Sequence, residues 1–275
     1  MILRAHALRW LDDARPAIVV EVAGARGSVP REAGTRMLVA ADAVCGTIGG
    51  GHLEWQAIAQ ARARLARRTT RSDEAPQEQT LALGPSLGQC CGGEVTLRYA
   101  PLDAAALAAW PEAPPRFHLQ LYGAGHVGRA IVALLATIDC RVQWIDEREA
   151  EFDAFVSQAP LPPHVQALCV DAVEAEVAHA PPGACYLVLT HEHDLDLRIT
   201  EAILRRGDFA YCGLIGSRTK RARFVNRLEE RGVPEAAIAR LICPIGVPGI
   251  TGKEPAVLAI AAVAQLLQAT GSAVG

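Results

Sequence analysis

Hydrophobic and polar positions give this chain two halves of different rhythm. From residue 117 onward, short apolar runs alternate with stretches in which apolar residues recur every three or four positions. Short runs of this kind mark buried strands, and the longer period marks amphipathic helices. Strands are expected at 118–122, 141–146, 165–170, 185–190 and 210–215, with helices at 127–137, 172–179, 195–206 and 218–232. A short strand near Cys243–Ile245 and a final helix complete the series. Such alternation implies a parallel sheet with helices on both faces.

The first hundred residues read differently. Residues 1–15 suggest a short helix and Ala17–Ala23 a strand, followed by the loop Gly24–Arg31. Thr35–Val39 and Val44–Ile48 form an expected hairpin around Ala41-Asp42. Gly49, Gly50 and Gly51 then open an amphipathic helix that runs to about Arg68. Thr69–Gln79 is polar and reads as a surface loop. A strand near Glu78–Leu83, the loop Gly84–Gly93 and a strand at Glu94–Tyr99 close this half. The proline-rich stretch 101–116 reads as a connector.

One motif organises the second half. The first strand, 118–122, ends in Gly123-Ala-Gly125-His126-Val-Gly128, and a helix pattern begins at once. The spacing G-x-G-x-x-G between strand and helix is the dinucleotide-binding fingerprint: a tight turn, a close approach for a diphosphate, and close helix–strand packing. The next strand ends in Asp146, about 20 residues on, where an acid reads a ribose hydroxyl. The fold class is therefore α/β. A smaller α+β domain over 1–100 and a linker over 101–116 precede a Rossmann-like, doubly wound parallel sheet over 117–275.

Composition narrows the classes of partner. Of the 275 residues 51% are hydrophobic and the formal net charge is −3, with a pI near 6.2 and mean hydropathy +0.17. There is ample material for a core and no basic excess, which argues against nucleic acid as a partner. The N-terminus lacks a secretory pattern, and the longest apolar run, Ala256–Leu267, is too short to cross a bilayer. A cytoplasmic protein with reduced thiols and no membrane contact is expected. Most of the eight cysteines, including Cys140, Cys169, Cys185 and Cys212, sit singly in or beside predicted strands, where a thiol acts as a small hydrophobe.

Several stretches carry candidate chemistry. Gly49, Gly50 and Gly51, followed by His52, open a helix with free backbone amides, a ready anion site; Arg26 and Arg31 lie in the same small unit. Cys90 and Cys91 are adjacent between glycines, which suits thiolate chemistry: a soft metal ligand or a persulfide acceptor. Gly123, Gly125, His126 and Gly128 form one rim of a crevice whose opposite side is the end of the fourth strand, Thr190-His191-Glu192-His193-Asp194. The zinc-hydrolase pattern H-E-x-x-H is absent there, so this run reads as lining the crevice, with Asp194 or Asp196 as an alternative helix cap. Ser217 caps a further helix at whose start Arg218 and Lys220 put positive charge, a place suited to an anion; a solvated basic helix continuing through Arg221 and Arg223 is the alternative.

Together these stretches resemble the XdhC family, accessory proteins of xanthine dehydrogenase and related molybdenum hydroxylases. The resemblance rests on Gly27-Ser-Val-Pro-Arg31, Gly46-Thr-Ile-Gly-Gly-Gly-His-Leu-Glu54, Gly84-Pro-Ser-Leu-Gly-Gln-Cys-Cys-Gly-Gly93, Tyr122-Gly-Ala-Gly-His-Val-Gly128, Thr190-His191, Gly213-Leu-Ile-Gly-Ser-Arg218 and Pro244-Ile-Gly246. It implies a chaperone rather than a turnover enzyme. Its cargo would be the molybdenum cofactor, and its partners a cysteine desulfurase and the apo-dehydrogenase or a related apo-hydroxylase. It also implies a homo-oligomer. The cofactor phosphate would suit Gly49–Gly51 or Gly123–Gly128, its pterin edge would be read by His191, Glu192 or Asp146, and molybdenum or sulfur would meet Cys90 or Cys91.

Two other readings compete. The fingerprint with Asp146 also fits an NAD(P)-dependent oxidoreductase, and Arg148 leaves NAD against NADP open. A non-catalytic module that binds a nucleotide or a protein partner would make the cysteines incidental.

Overall fold

The computed structural model describes residues 2–68, 76–83, 92–111 and 114–271. The chain divides into two compact units, Met1–Ala113 and Pro114–Gly275.

The first unit is a five-stranded antiparallel sheet between helices. Its elements are α1 (Ile2–Asp12), β1 (Ala17–Arg26), β2 (Arg36–Ala40), β3 (Val44–Gly46), α2 (Gly51–Arg68), β4 (Gln77–Ala82), β5 (Glu94–Pro101) and α3 (Ala104–Ala108), and the strand order is β3-β2-β1-β5-β4. Strand periodicity explains the layering, since alternate side chains point to opposite faces. Ile18, Val20 and Val22 of β1 pack with Leu53, Ala57 and Ala61 of α2. Ala17 and Val19 pack on the other face, with Ala7 and Trp10 of α1 and Leu107 of α3. The stretch 101–116, read from its prolines as a connector, therefore contains the end of β5 and a helix whose Leu107 is buried. β1 also outruns its expected end at Ala23: it stays paired to β5 as far as Arg26, across an irregularity between Val22 and Gly24.

The second unit is a six-stranded sheet in the order β11-β10-β9-β6-β7-β8. Its strands are β6 (His118–Tyr122), β7 (Arg141–Asp146), β8 (Val165–Cys169), β9 (Cys185–Val188), β10 (Tyr211–Leu214) and β11 (Leu241–Ile242). Every pairing is parallel. The order reverses beside β6, the switch point at which doubly wound sheets place their ligands. Leu119 and Leu121 of β6 pack against α4 (His126–Leu135) and α9 (Pro255–Gly271). Tyr122 faces the opposite layer, formed by α6 (His193–Arg206), α7 (Arg218–Glu230) and a 3-10 turn at Val173–His179. Gln120 is the polar exception at 1% exposure. It donates to Glu176 O at 2.7 Å and Gln143 Oε1 at 3.0 Å and accepts from the Tyr122 hydroxyl at 2.7 Å, so its amide is satisfied at both ends.

Three expectations are corrected here. A helix, α5 (Glu149–Val156), lies between β7 and β8 where sequence suggested none; it spans two turns and buries only Phe152, too little periodicity to show. The helix expected at 172–179 is the 3-10 turn. The last strand falls at Leu241–Ile242 rather than Cys243–Ile245, pairing Cys212 and Gly213; Pro244 has no amide for the ladder. The short α8 (Glu235–Ile238) precedes it. Among the described residues no helix is long and apolar enough to cross a membrane.

Gly128 tests how tightly α4 sits on β6. A Cβ there would lie 2.1 Å from the Gly123 carbonyl oxygen. Gly128→Ala should therefore lower unfolding stability by about 1–3 kcal/mol, the usual cost of overpacking a dense site. Denaturant titration of the two proteins measures it.

Candidate functional site

The fingerprint turn is shaped by what its glycines exclude. Gly123 has φ +115°, and a Cβ on it would come within 2.3 Å of the Leu189 carbonyl oxygen. Its own carbonyl accepts from Trp144 Nε1 at 3.0 Å. Gly125 differs, because a Cβ there would meet nothing within 4 Å. It is the N-cap of α4, extended at φ −67° and ψ −171°, and no side chain caps the helix. The positive end of a ten-residue helix thus faces open space, the geometry an anion favours. His126, the first residue of α4, is exposed.

Asp146 has another role than the one read from its position. It is 4% exposed. Its Oδ2 accepts from the Ala124 amide at 2.6 Å and from Arg148 Nη2 at 2.8 Å. Its Oδ1 accepts from Arg148 N at 3.0 Å and Nε at 2.9 Å. Burial alone would raise its pKa, but the Arg148 side chain and the two amides outweigh that and hold the carboxyl below its usual 3.8. Both oxygens are engaged, and the residue ties the turn to β7. A ribose diol would have to displace Arg148 to reach it.

Across the crevice, the loop after β9 is held from below. Asp196, fully buried, accepts from Thr190 N at 3.0 Å and Thr190 Oγ1 at 2.7 Å, and its other oxygen meets Lys220 Nζ at 2.5 Å. Lys220 also donates to Ile215 O at 2.9 Å. The positive charge expected to greet an anion near Ser217 is thus partly consumed inside. Ser217 caps α7 by accepting from Lys220 N at 3.2 Å, while Arg218 is exposed. α6 begins at His193 with Glu192 as N-cap, so neither Asp194 nor Asp196 is the cap; Asp194 instead pairs with Arg227 at 2.8 Å. His191 stands on the rim with its Nε2 3.6 Å from Glu147 Oε1.

The glycine run of the first unit is served from within. Glu54 Oε2 accepts from Ile48 N at 2.9 Å, Gly50 N at 3.1 Å and Thr47 Oγ1 at 2.5 Å, and Gly49 N donates to Thr47 Oγ1 at 3.1 Å. The carboxylate three residues into α2 sits where an external anion was expected. His52 is exposed, stacks on Trp55 with ring centroids 5.5 Å apart and hydrogen-bonds Gln56.

Cys90 and Cys91 lie outside the described residues. The cysteines that are described are free thiols. Burial pushes the Cys140, Cys185 and Cys212 thiols up to about 12, which makes them packing residues. Cys169 departs from that pattern, being exposed at the end of β8.

Residues 119–266 match the XdhC Rossmann domain model, and residues 10–74 match that of the XdhC and CoxI family. The chain belongs to the XdhC family. It is 32% identical over 268 residues to the uncharacterized protein YqeB of Escherichia coli, an alignment that covers 94% of this chain and 44% of the relative. The chain thus spans less than half the length of that relative. It also resembles a chain from Bacillus halodurans described as a xanthine dehydrogenase, with TM-score 0.73 and 19% identity over 99% of this chain and 96% of that one. At that identity the likeness concerns the fold.

Glu147 and the internal role of Glu54 were not singled out from sequence as site residues. Glu147 had one available signal, its place directly after Asp146 at the carboxyl end of a strand beside β6.

Asp146→Asn should cost about 1–3 kcal/mol at neutral pH, the penalty for disturbing a buried hydrogen-bonded carboxylate. Because the folded state holds this carboxyl below its unfolded pKa, its contribution is complete above about pH 5 and is lost as pH falls below 3.8 toward the folded value. Thermal unfolding from pH 7 to pH 3 should show the variant losing less stability on acidification than the parent.

Proposed function

We propose that this chain is an accessory protein in the maturation of a xanthine dehydrogenase or related molybdenum hydroxylase, with the molybdenum cofactor as its cargo. Membership of the XdhC family over both units carries the reading. The start of α4 supports it, since open space before an uncapped helix N-terminus suits the cofactor's phosphate. His191 and Glu192 on the facing loop supply polar groups for the pterin edge. Asp146 leaves that role, because Arg148 and two amides already fill its oxygens.

Cys90 and Cys91 are the proposed soft contacts for molybdenum or for a sulfur delivered by a cysteine desulfurase. We propose also that the chain works as a homo-oligomer. The substitution of Cys90 and Cys91 by Ala should lower the sulfurated cofactor carried by the protein and reduce activation of apo-dehydrogenase mixed with it. Molybdenum content and activation unchanged in the double variant would refute the role of the two thiols.

A second reading, a nicotinamide-dependent oxidoreductase, draws on the same fingerprint. The engaged carboxylate of Asp146 weighs against it, since the ribose reader of such enzymes must accept from the sugar. Fluorescence titration with NADH and NADPH should accordingly show no micromolar binding. Micromolar affinity for either would promote the oxidoreductase.

A further inference from the structure

The loops that follow β7 and β9 meet across the end of β6, the strand that lies between them. Three side chains from those loops, Glu147, His191 and Glu192, bring one ligand atom each to within 4.8 Å of one another. Two are neighbours on the loop after β9; the third directly follows the end of β7, 44 positions before His191 in the chain. Metal–nitrogen and metal–oxygen bonds of about 2.0–2.2 Å set neighbouring ligand atoms roughly 3.0–3.5 Å apart. The His191–Glu147 separation of 3.6 Å is already near that range. All three residues are exposed, so small rotations of their side chains close the rest.

Electrostatics gives the cluster a second significance. The start of α4 favours an anion, yet the rim beside it carries two carboxylates, Glu147 and Glu192. Asp146, between them in the crevice wall, is neutralised by Arg148. The rim carboxylates work against the attraction of the α4 start for a phosphate, and a cation held by the rim reverses the sign of their contribution. One imidazole nitrogen with two carboxylate oxygens suits manganese or zinc better than magnesium or calcium, which prefer oxygen alone.

We propose that Glu147, His191 and Glu192 hold one divalent transition-metal ion, whose remaining positions are left for water or for an oxygen of an anionic ligand at the start of α4. This site does not depend on the maturation reading, because its first readout is the ion itself; with the ion bound, His191 and Glu192 act as its ligands in place of the pterin-edge contact.

Manganese alone is the probe, since it has little affinity for thiolates and leaves the chain's cysteines out of the measurement. Full-length protein, stripped with chelator and dialysed, is titrated while the electron paramagnetic resonance signal of free Mn2+ is followed. One equivalent should bind. His191→Ala and Glu147→Gln should each weaken binding by at least about tenfold, no less than the loss of an outer-shell partner costs a metal site. His193→Ala, at the first residue of α6 and outside the cluster, should leave it unchanged, and all three variants should unfold at the parent's temperature. Inorganic pyrophosphate should bind the manganese-loaded protein more tightly than the stripped protein. The absence of one-to-one binding, indifference to His191→Ala and Glu147→Gln, or equal pyrophosphate affinity in the two forms would overturn the proposal.

Discussion

A single buried carboxylate, that of Asp146, decides how the carboxyl end of the parallel sheet is arranged. It joins the Ala124 amide of the glycine turn to the end of β7 and closes the join with Arg148. Leaving a buried amide and a buried carboxylate without partners would cost about 1–3 kcal/mol each, so the turn and the strand end are locked together. Gly123 and Gly128 complete the lock by permitting backbone contacts that no side chain would allow. The outcome is a rigid turn behind an open helix start.

The two glycine-rich turns of this chain use internal carboxylates in opposite ways. Glu54 lies at the front of its turn and takes the amides that an external anion would need. Asp146 takes only the Ala124 amide from the glycine turn and leaves the start of α4 uncapped. Two glycine-rich turns therefore produce an internally bonded turn in one unit and an open, uncapped helix start in the other. The deciding factor is which face of the turn the acid approaches.

How much of this was legible in the sequence follows from the range of each interaction. β6, β9 and β10 were readable because they are short apolar runs buried on both faces, and the fingerprint fixed where the first of them ends. α5 was hidden because it buries a single aromatic residue. α3 was masked by the prolines around it, although Leu107 anchors it in the core. Site residues could be named by type and place, but their partners could not. Asp146 looked like a ribose reader until Arg148 was seen on it, and Lys220 looked like surface charge until Asp196 was found beneath it. Such pairings span two to 24 positions, and no local pattern announces them.

The proposed maturation role turns on whether this XdhC-family chain carries the molybdenum cofactor. Elemental analysis and pterin fluorescence of protein purified from a cofactor-producing host test it most directly. Molybdenum and pterin should appear together, in a constant ratio to the chain, and should be lost when apo-dehydrogenase is added and the protein is re-isolated. Protein that contains neither, from a host shown to make the cofactor, would contradict it.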